Sequence, residues 1–161
     1  MIRRPPRSTR KESSAASDVY KRQGDKWSII ILRDIAVLNR QTYSQLYNKS
    51  LEGISSATLA KRLKRLLDIG MLTVSDDKLH SQKKIYSLTE AAIEFVPIIF
   101  DLAHWSNTYH KPSPEYVRPI KAYMGKDKNL IKEFQNGLRK IHLYKVPLNK
   151  VDLIFQELAA L

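Results

Sequence analysis

Residues 55–68 read SSATLAKRLKRLLD, and the reading of this stretch decides the fold. At a helical rotation of about 100° per residue, Leu59, Leu63, Leu66 and Leu67 fall on one side. The opposite side collects Ala57, Thr58, Lys61, Lys64 and Arg65, with Arg62 on its flank. Four of the five charged residues here are basic. Ser55 suits the N-cap, where a hydroxyl accepts from an otherwise unpaired first-turn amide. Ile69-Gly70 closes the helix, glycine tolerating the left-handed position that follows a C-cap. Taken alone, the cationic side is an ordinary solvated face. Its neighbours in the chain change that reading.

Upstream, Trp27, Ile31, Ile35 and Leu38 recur at spacings of four, four and three, which predicts a helix over Lys26 to Leu38. Asn39 and Arg40 end it. A short helix follows, capped by Thr42 or Ser44, with Tyr43, Leu46 and Tyr47 as its apolar contacts, and Gly53 separates it from the stretch 55–68. Downstream, the β-prone segments Met71 to Ser75 and Lys84 to Leu88 flank the polar residues Asp76 to Lys83, as in a hairpin. Thr89-Glu90 then opens a long helix reaching about Asn107. The expected fold class is mainly α with a small β-hairpin, in the winged helix-turn-helix order, followed by a helical C-terminal extension.

In that context the helix 55–68 has the composition of a major-groove element. Lys61, Arg62, Lys64 and Arg65 can reach guanine acceptors or phosphates, Ala57 and Thr58 sit on the same face, and the turn at Ser55 and Ser56 can meet phosphate through its amides. Lys78, Lys83 and Lys84 lie at or beside the wing tip and are candidate phosphate contacts. Asp76 and Asp77 oppose this unless they face away. The expected DNA-binding set is therefore Ser55, Ser56, Ala57, Thr58, Lys61, Arg62, Lys64, Arg65, Lys83 and Lys84, and the expected partner is double-stranded DNA.

Composition is consistent with this. The chain of 161 residues suits one domain, and its net charge of +12 points to a polyanionic partner. The charge is uneven: residues 1–23 hold seven basic against two acidic side chains, 24–110 eleven against nine, and 111–161 ten against five. Cysteine is absent, which removes thiolate metal sites and thiol nucleophiles from consideration in the chain as given. His80, His104, His110 and His142 are scattered, with no metal-ligand spacing, catalytic triad pattern or phosphate-cradling glycine loop. No enzymatic activity, cofactor or metal is expected. No apolar run is long enough to span a bilayer and no secretory leader is evident, so a cytoplasmic protein without membrane contact is expected. Residues 1–23, MIRRPPRSTRKESSAASDVYKRQ, lack apolar periodicity and resemble a translated sequencing-adapter string. They are read as a disordered or artefactual segment, and with them a genuine N-terminus is expected to be missing.

Four ordered stretches carry a family resemblance: Gly24-Asp25-Lys26-Trp27; Tyr43-Ser44-Gln45-Leu46; Gly53-Ile54-Ser55-Ser56 with Thr58-Leu59 and Arg62-Leu63; and Tyr86-Ser87-Leu88-Thr89-Glu90. With Pro97 in the last helix, residues 24–107 resemble the HxlR-type winged-helix regulators of bacteria. The resemblance implies a cytoplasmic homodimer that binds a roughly palindromic operator and represses or activates transcription. Some members sense oxidants or electrophiles through an N-terminal cysteine, which this chain lacks. Ala57 stands where members often carry a basic or polar side chain, and the wing lacks the usual prolines.

The long helix carries two apolar stripes. Ile93, Val96, Phe100 and Ala103 form one; Phe95, Ile98, Leu102 and Trp105 form the other, with Ile99 between. One stripe can cover the winged-helix core, leaving the second for a partner chain or for the extension. Phe95, Ile98, Leu102 and Trp105 are the expected dimerisation residues. Residues 24–110 are thus read as the DNA-binding and dimerisation unit, and 111–161 as an extension joined by the linker at 110–114. Leu130, Ile131, Phe134, Leu138 and Ile141 mark one amphipathic helix capped by Asp127; Val151, Ile154, Phe155 and Leu158 mark another capped by Asn149. Phe134 and Phe155 could line a small-molecule effector pocket, but the sequence favours ordinary packing for both. The alternative to DNA binding is a winged helix used for protein contact.

Overall fold

The first three helices each begin where a side chain accepts from an early amide. In the computed structural model, which describes residues 25–77, 82–110, 112, 121, 123 and 128–148, helix α1 spans Lys26–Leu38. Asp25 Oδ1 accepts from the Trp27 amide at 3.1 Å, and Asn39 ends the helix in the left-handed conformation at φ 49°. Helix α2 (Tyr43–Asn48) starts with a capping box in which Thr42 Oγ1 accepts from the Gln45 amide and Gln45 Oε1 from the Thr42 amide. Of the two expected caps, Thr42 serves.

Helix α3 (Ser56–Asp68) is capped by Ser55, whose Oγ accepts from the Thr58 amide at 3.2 Å. Its far end closes in a Schellman pattern around Gly70 at φ 72°, with the Met71 amide donating to Leu66 and the Gly70 amide to Leu67. That closure uses the Met71 amide. Strand β1 (Leu72–Asp76) therefore starts one residue later than its sequence suggests. Strand β2 (Lys84–Leu88) pairs with it antiparallel, Leu72 opposite Leu88 and Asp76 opposite Lys84. The loop before α2 adds a third edge to this wing: the Tyr86 amide donates to the Gln41 carbonyl at 2.7 Å.

Helix α4 (Glu90–His110) runs three residues further than expected. Thr89 joins it to the end of α3 by donating its hydroxyl to the Gly70 carbonyl at 2.7 Å. The core is continuous: Ile31 and Ile35 of α1, Leu59, Leu63 and Leu66 of α3, Leu72 and Leu88 of the wing, and Ile93 and Val96 of α4 are all buried. The architecture is a winged helix.

The two stripes of α4 part company along its length. Phe95 lies at the margin of the buried arc, only 8% exposed, and belongs to the core of its own chain. This corrects its assignment to a contact surface. Ile98, Leu102 and Trp105 remain about half exposed.

Helix α5 (Lys128–His142) packs on α4 and β2. Phe134 meets Phe100 edge to face, ring centroids 5.4 Å apart, and Tyr123 stacks on Phe100 at 5.0 Å. Phe134 is thus core packing. Phe155, Asp127 and the second expected tail helix lie outside the described residues. Arg139 ties α5 to the start of α4 through Glu90, and also contacts Glu94. Pro97 has no amide, so the Ile93 carbonyl one turn earlier loses its helical donor. Gln135 supplies a replacement: its Nε2 donates to that carbonyl at 3.2 Å, in the buried interface.

His142 is the other buried polar group of α5, and among the described residues neither ring nitrogen has a hydrogen-bond partner. Burial, aided by the charge of Lys145, pushes its pKa from 6.5 down to about 3. In the unfolded chain this histidine takes up a proton below about pH 6.5, whereas the folded chain resists until about pH 3. Unfolding therefore binds a proton in that window, and stability falls with pH across it. Between pH 7 and pH 5 the expected loss is about 2 kcal/mol. Denaturant midpoints at both pH values should show it, and His142→Leu should reduce the difference by most of that amount. An unchanged difference would show that His142 titrates normally.

Candidate nucleic-acid interface

The site is built on α3. Leu59, Leu63 and Leu66 are 0%, 2% and 1% exposed, and Leu67 packs against the same core. With that side fixed, the rest of the helix must face outward. Ala57, Lys61 and Lys64 are exposed, and Thr58 and Arg65 are partly exposed. Among the described residues, the helix Lys128–His142 packs on α4 and β2.

The hydroxyls at its N-terminus are engaged within the chain. Ser55 Oγ caps the helix and also lies 2.8 Å from Thr58 Oγ1. The Tyr43 hydroxyl sits 2.8 Å from Ser56 Oγ and 3.1 Å from the Ser56 carbonyl. Tyr43, read from sequence as an apolar contact of α2, thus holds the start of α3. The amides of Ser56 and Ala57 precede the first intrahelical bond, as anion-binding amides of a helix N-terminus do.

The turn that aims α3 is held by a chain of charges. Asp34, 2% exposed, accepts from Arg40 Nη1 at 3.0 Å and from Arg33 Nε at 2.9 Å. Arg33 continues to Glu52 in the turn, donating from Nη1 at 2.6 Å and Nη2 at 3.2 Å. Gly53 follows at φ 66°, a backbone conformation that glycine adopts without a steric cost. Sequence reasoning passed over Arg33, Asp34 and Glu52, and read Arg40 only as a helix end. The one available signal was an acid, Asp34, set among the apolar residues of α1.

Three expected contacts take a different place. Arg62 does not stand free on the flank: its Nε forms an ion pair with Asp25, the carboxylate that caps α1. At the wing, Lys84 pairs with Asp76 at 2.5 Å, because the antiparallel register sets them opposite, and Lys83 pairs with Asp77 at 3.2 Å. The aspartates therefore face the lysines rather than away, and they offset the charge of this part of the wing. Lys78 and His80 lie outside the described residues. Among the described residues no group of three His, Asp or Glu side chains is arranged to hold a metal ion. No helix among them is long and apolar enough to cross a membrane.

With this geometry in view, the comparisons with known proteins agree. Residues 23–114 match the family described as HxlR-like helix-turn-helix. The chain is 29% identical over 108 residues to Rv3095 of Mycobacterium tuberculosis and to Mb3122 of Mycobacterium bovis, both named as uncharacterized HTH-type transcriptional regulators. These matches cover 67% of this chain and 66% of each relative, so the chain spans about two thirds of their length. Among solved structures it resembles PA1607, described as a candidate transcription factor, with a TM-score of 0.53 and 26% identity. That likeness covers 65% of this chain and 70% of the other.

Proposed function

The chain belongs to the HxlR-like helix-turn-helix family, and from that premise we propose that it is a DNA-binding transcriptional regulator acting as a homodimer on a roughly palindromic operator. One observation carries the DNA-binding reading. The leucine side of α3 is sealed in the core while Lys61 and Lys64 stand exposed on the other, with Arg65 beside them. A helix so anchored fits the major groove, where a basic side chain can contact guanine O6 and N7. Ser55, Ser56, Ala57 and Thr58 form the approach of that helix and would meet the backbone through first-turn amides. Lys83 and Lys84 would join only by exchanging their aspartates for phosphate.

The dimer rests on a second feature. Ile98, Leu102 and Trp105 leave an apolar stripe along the outer half of α4, continued by Tyr109, whose ring lies 5.9 Å from that of Trp105. A two-fold contact there would give a self-complementary interface. Two copies of α3 would then read half-sites one DNA turn apart, roughly 34 Å. In this reading residues 24–110 form the DNA-binding and dimerisation unit, and 111–161 an extension.

The test begins by footprinting the purified protein upstream of its own and neighbouring genes. Lys61→Ala and Arg65→Ala should each weaken operator binding by about 1–3 kcal/mol, roughly 5- to 150-fold, if they contact base edges. Affinity for every duplex should also fall steeply with salt. Flat, negligible binding to all duplexes would favour the protein-contact alternative, and unchanged affinity in both variants would remove α3 from its role.

A further inference from the structure

The ion pair between Asp25 and Arg62 joins the cap of one helix to the flank of another. Asp25 Oδ1 accepts from the Trp27 amide, and its Oδ2 meets both Ser28 Oγ at 3.4 Å and Arg62 Nε. Both side chains are largely shielded, 13% and 23% exposed. Along α3, Thr58, Arg62 and Arg65 follow at intervals of four and three, so they share one edge of the proposed reading face. Arg62 is therefore a cation at the margin of a DNA-binding surface, held by a carboxylate of its own chain.

We infer that Asp25 is a specificity-determining positioning residue that withholds Arg62 from the DNA backbone. This rests on the DNA-binding reading above. A guanidinium at this margin would contact phosphate, which every sequence presents equally, and would strengthen binding to all duplexes alike. Phosphate and the Asp25 carboxylate compete for the same group. By holding Arg62, Asp25 lowers sequence-independent affinity and leaves discrimination to the rest of the face.

The experiment measures affinity for a random-sequence duplex across a range of salt, using the full chain. Asp25→Asn keeps an N-cap of equal quality while removing the charge, and Asp25→Ser offers a second capping variant should the first fold poorly. Releasing Arg62 onto one phosphate should steepen the logarithmic salt slope by about 0.9. The loss of affinity between about 50 and 200 mM salt should accordingly grow by about 3.5-fold. Adding Arg62→Gln to Asp25→Asn should restore the wild-type slope. Asp101→Asn makes the same change of net charge at an exposed position on α4 and should leave the slope alone. A purely structural role for Asp25 would change affinity without changing slope. An unaltered slope in both Asp25 variants, a steeper slope that survives loss of Arg62, or an equal effect from Asp101→Asn would each overturn the inference. Failure of the wild-type protein to bind any duplex would instead overturn the functional reading beneath it.

Discussion

Asp34→Ala is expected to lower the stability of the fold by about 3–5 kcal/mol, the cost of removing one partner from a buried ion pair. Asp34 lies deep on α1 and receives both Arg33 and Arg40, and Arg40 is itself 8% exposed. Without the carboxylate, Arg40 would keep its charge in a site that excludes water. Arg33 would retain Glu52 but lose the anchor that fixes its own angle. Two effects should follow: a lower denaturant midpoint, and a looser turn ahead of α3. Asp34→Asn keeps an acceptor of the same shape and should cost less. A loss below about 1 kcal/mol in the alanine variant would show that the arginines find water or other partners, and that the charge chain does not hold the turn.

Leu59→Ala should cost about 2–5 kcal/mol, since the side chain is fully buried and its removal leaves a cavity under α3. The informative comparison is with Lys61→Ala, two residues along the same helix. The leucine variant should lose stability, whereas the lysine variant should stay within about 0.5 kcal/mol of wild type while losing DNA affinity. This crossed result would separate the side of the helix that holds from the side that reads. Urea titration at constant slope, paired with operator binding at a temperature where both variants are folded, is the measurement. If Lys61→Ala proved as destabilising as Leu59→Ala, the two-sided description of α3 would be wrong.

What the sequence showed and what it hid divide along physical lines. Several caps were readable because they depend on a few adjacent residues: Ser55 and Gly70 stand out at the ends of α3, and Thr42 is one of two candidates for α2. The leucine face of α3 was readable because a helix converts spacing directly into direction. Ion pairs between elements were not. Nothing local distinguishes Arg62, which pairs with a residue 37 positions earlier, from Lys61, which stands exposed. The wing pairs Asp76–Lys84 and Asp77–Lys83 needed the exact hairpin register. Phe95 was assigned outward because periodicity gives angles around a helix, not how far along it the core extends. The placement of α5 on α4 also required tertiary knowledge, although its amphipathic pattern was plain.

The exchange between Pro97 and Gln135 bears on how the last described helix finds its place. Greasy surfaces alone let two helices slide, since a shift of one turn offers similar contact area. A main-chain oxygen left vacant at a single position on α4 breaks that degeneracy, because only one alignment brings an amide to it. Every other alignment would strand both groups in a dry interface. The imino acid thus acts as a notch and the glutamine as its tooth, so one ring closure in the long helix fixes where another segment, 38 residues further on, comes to rest.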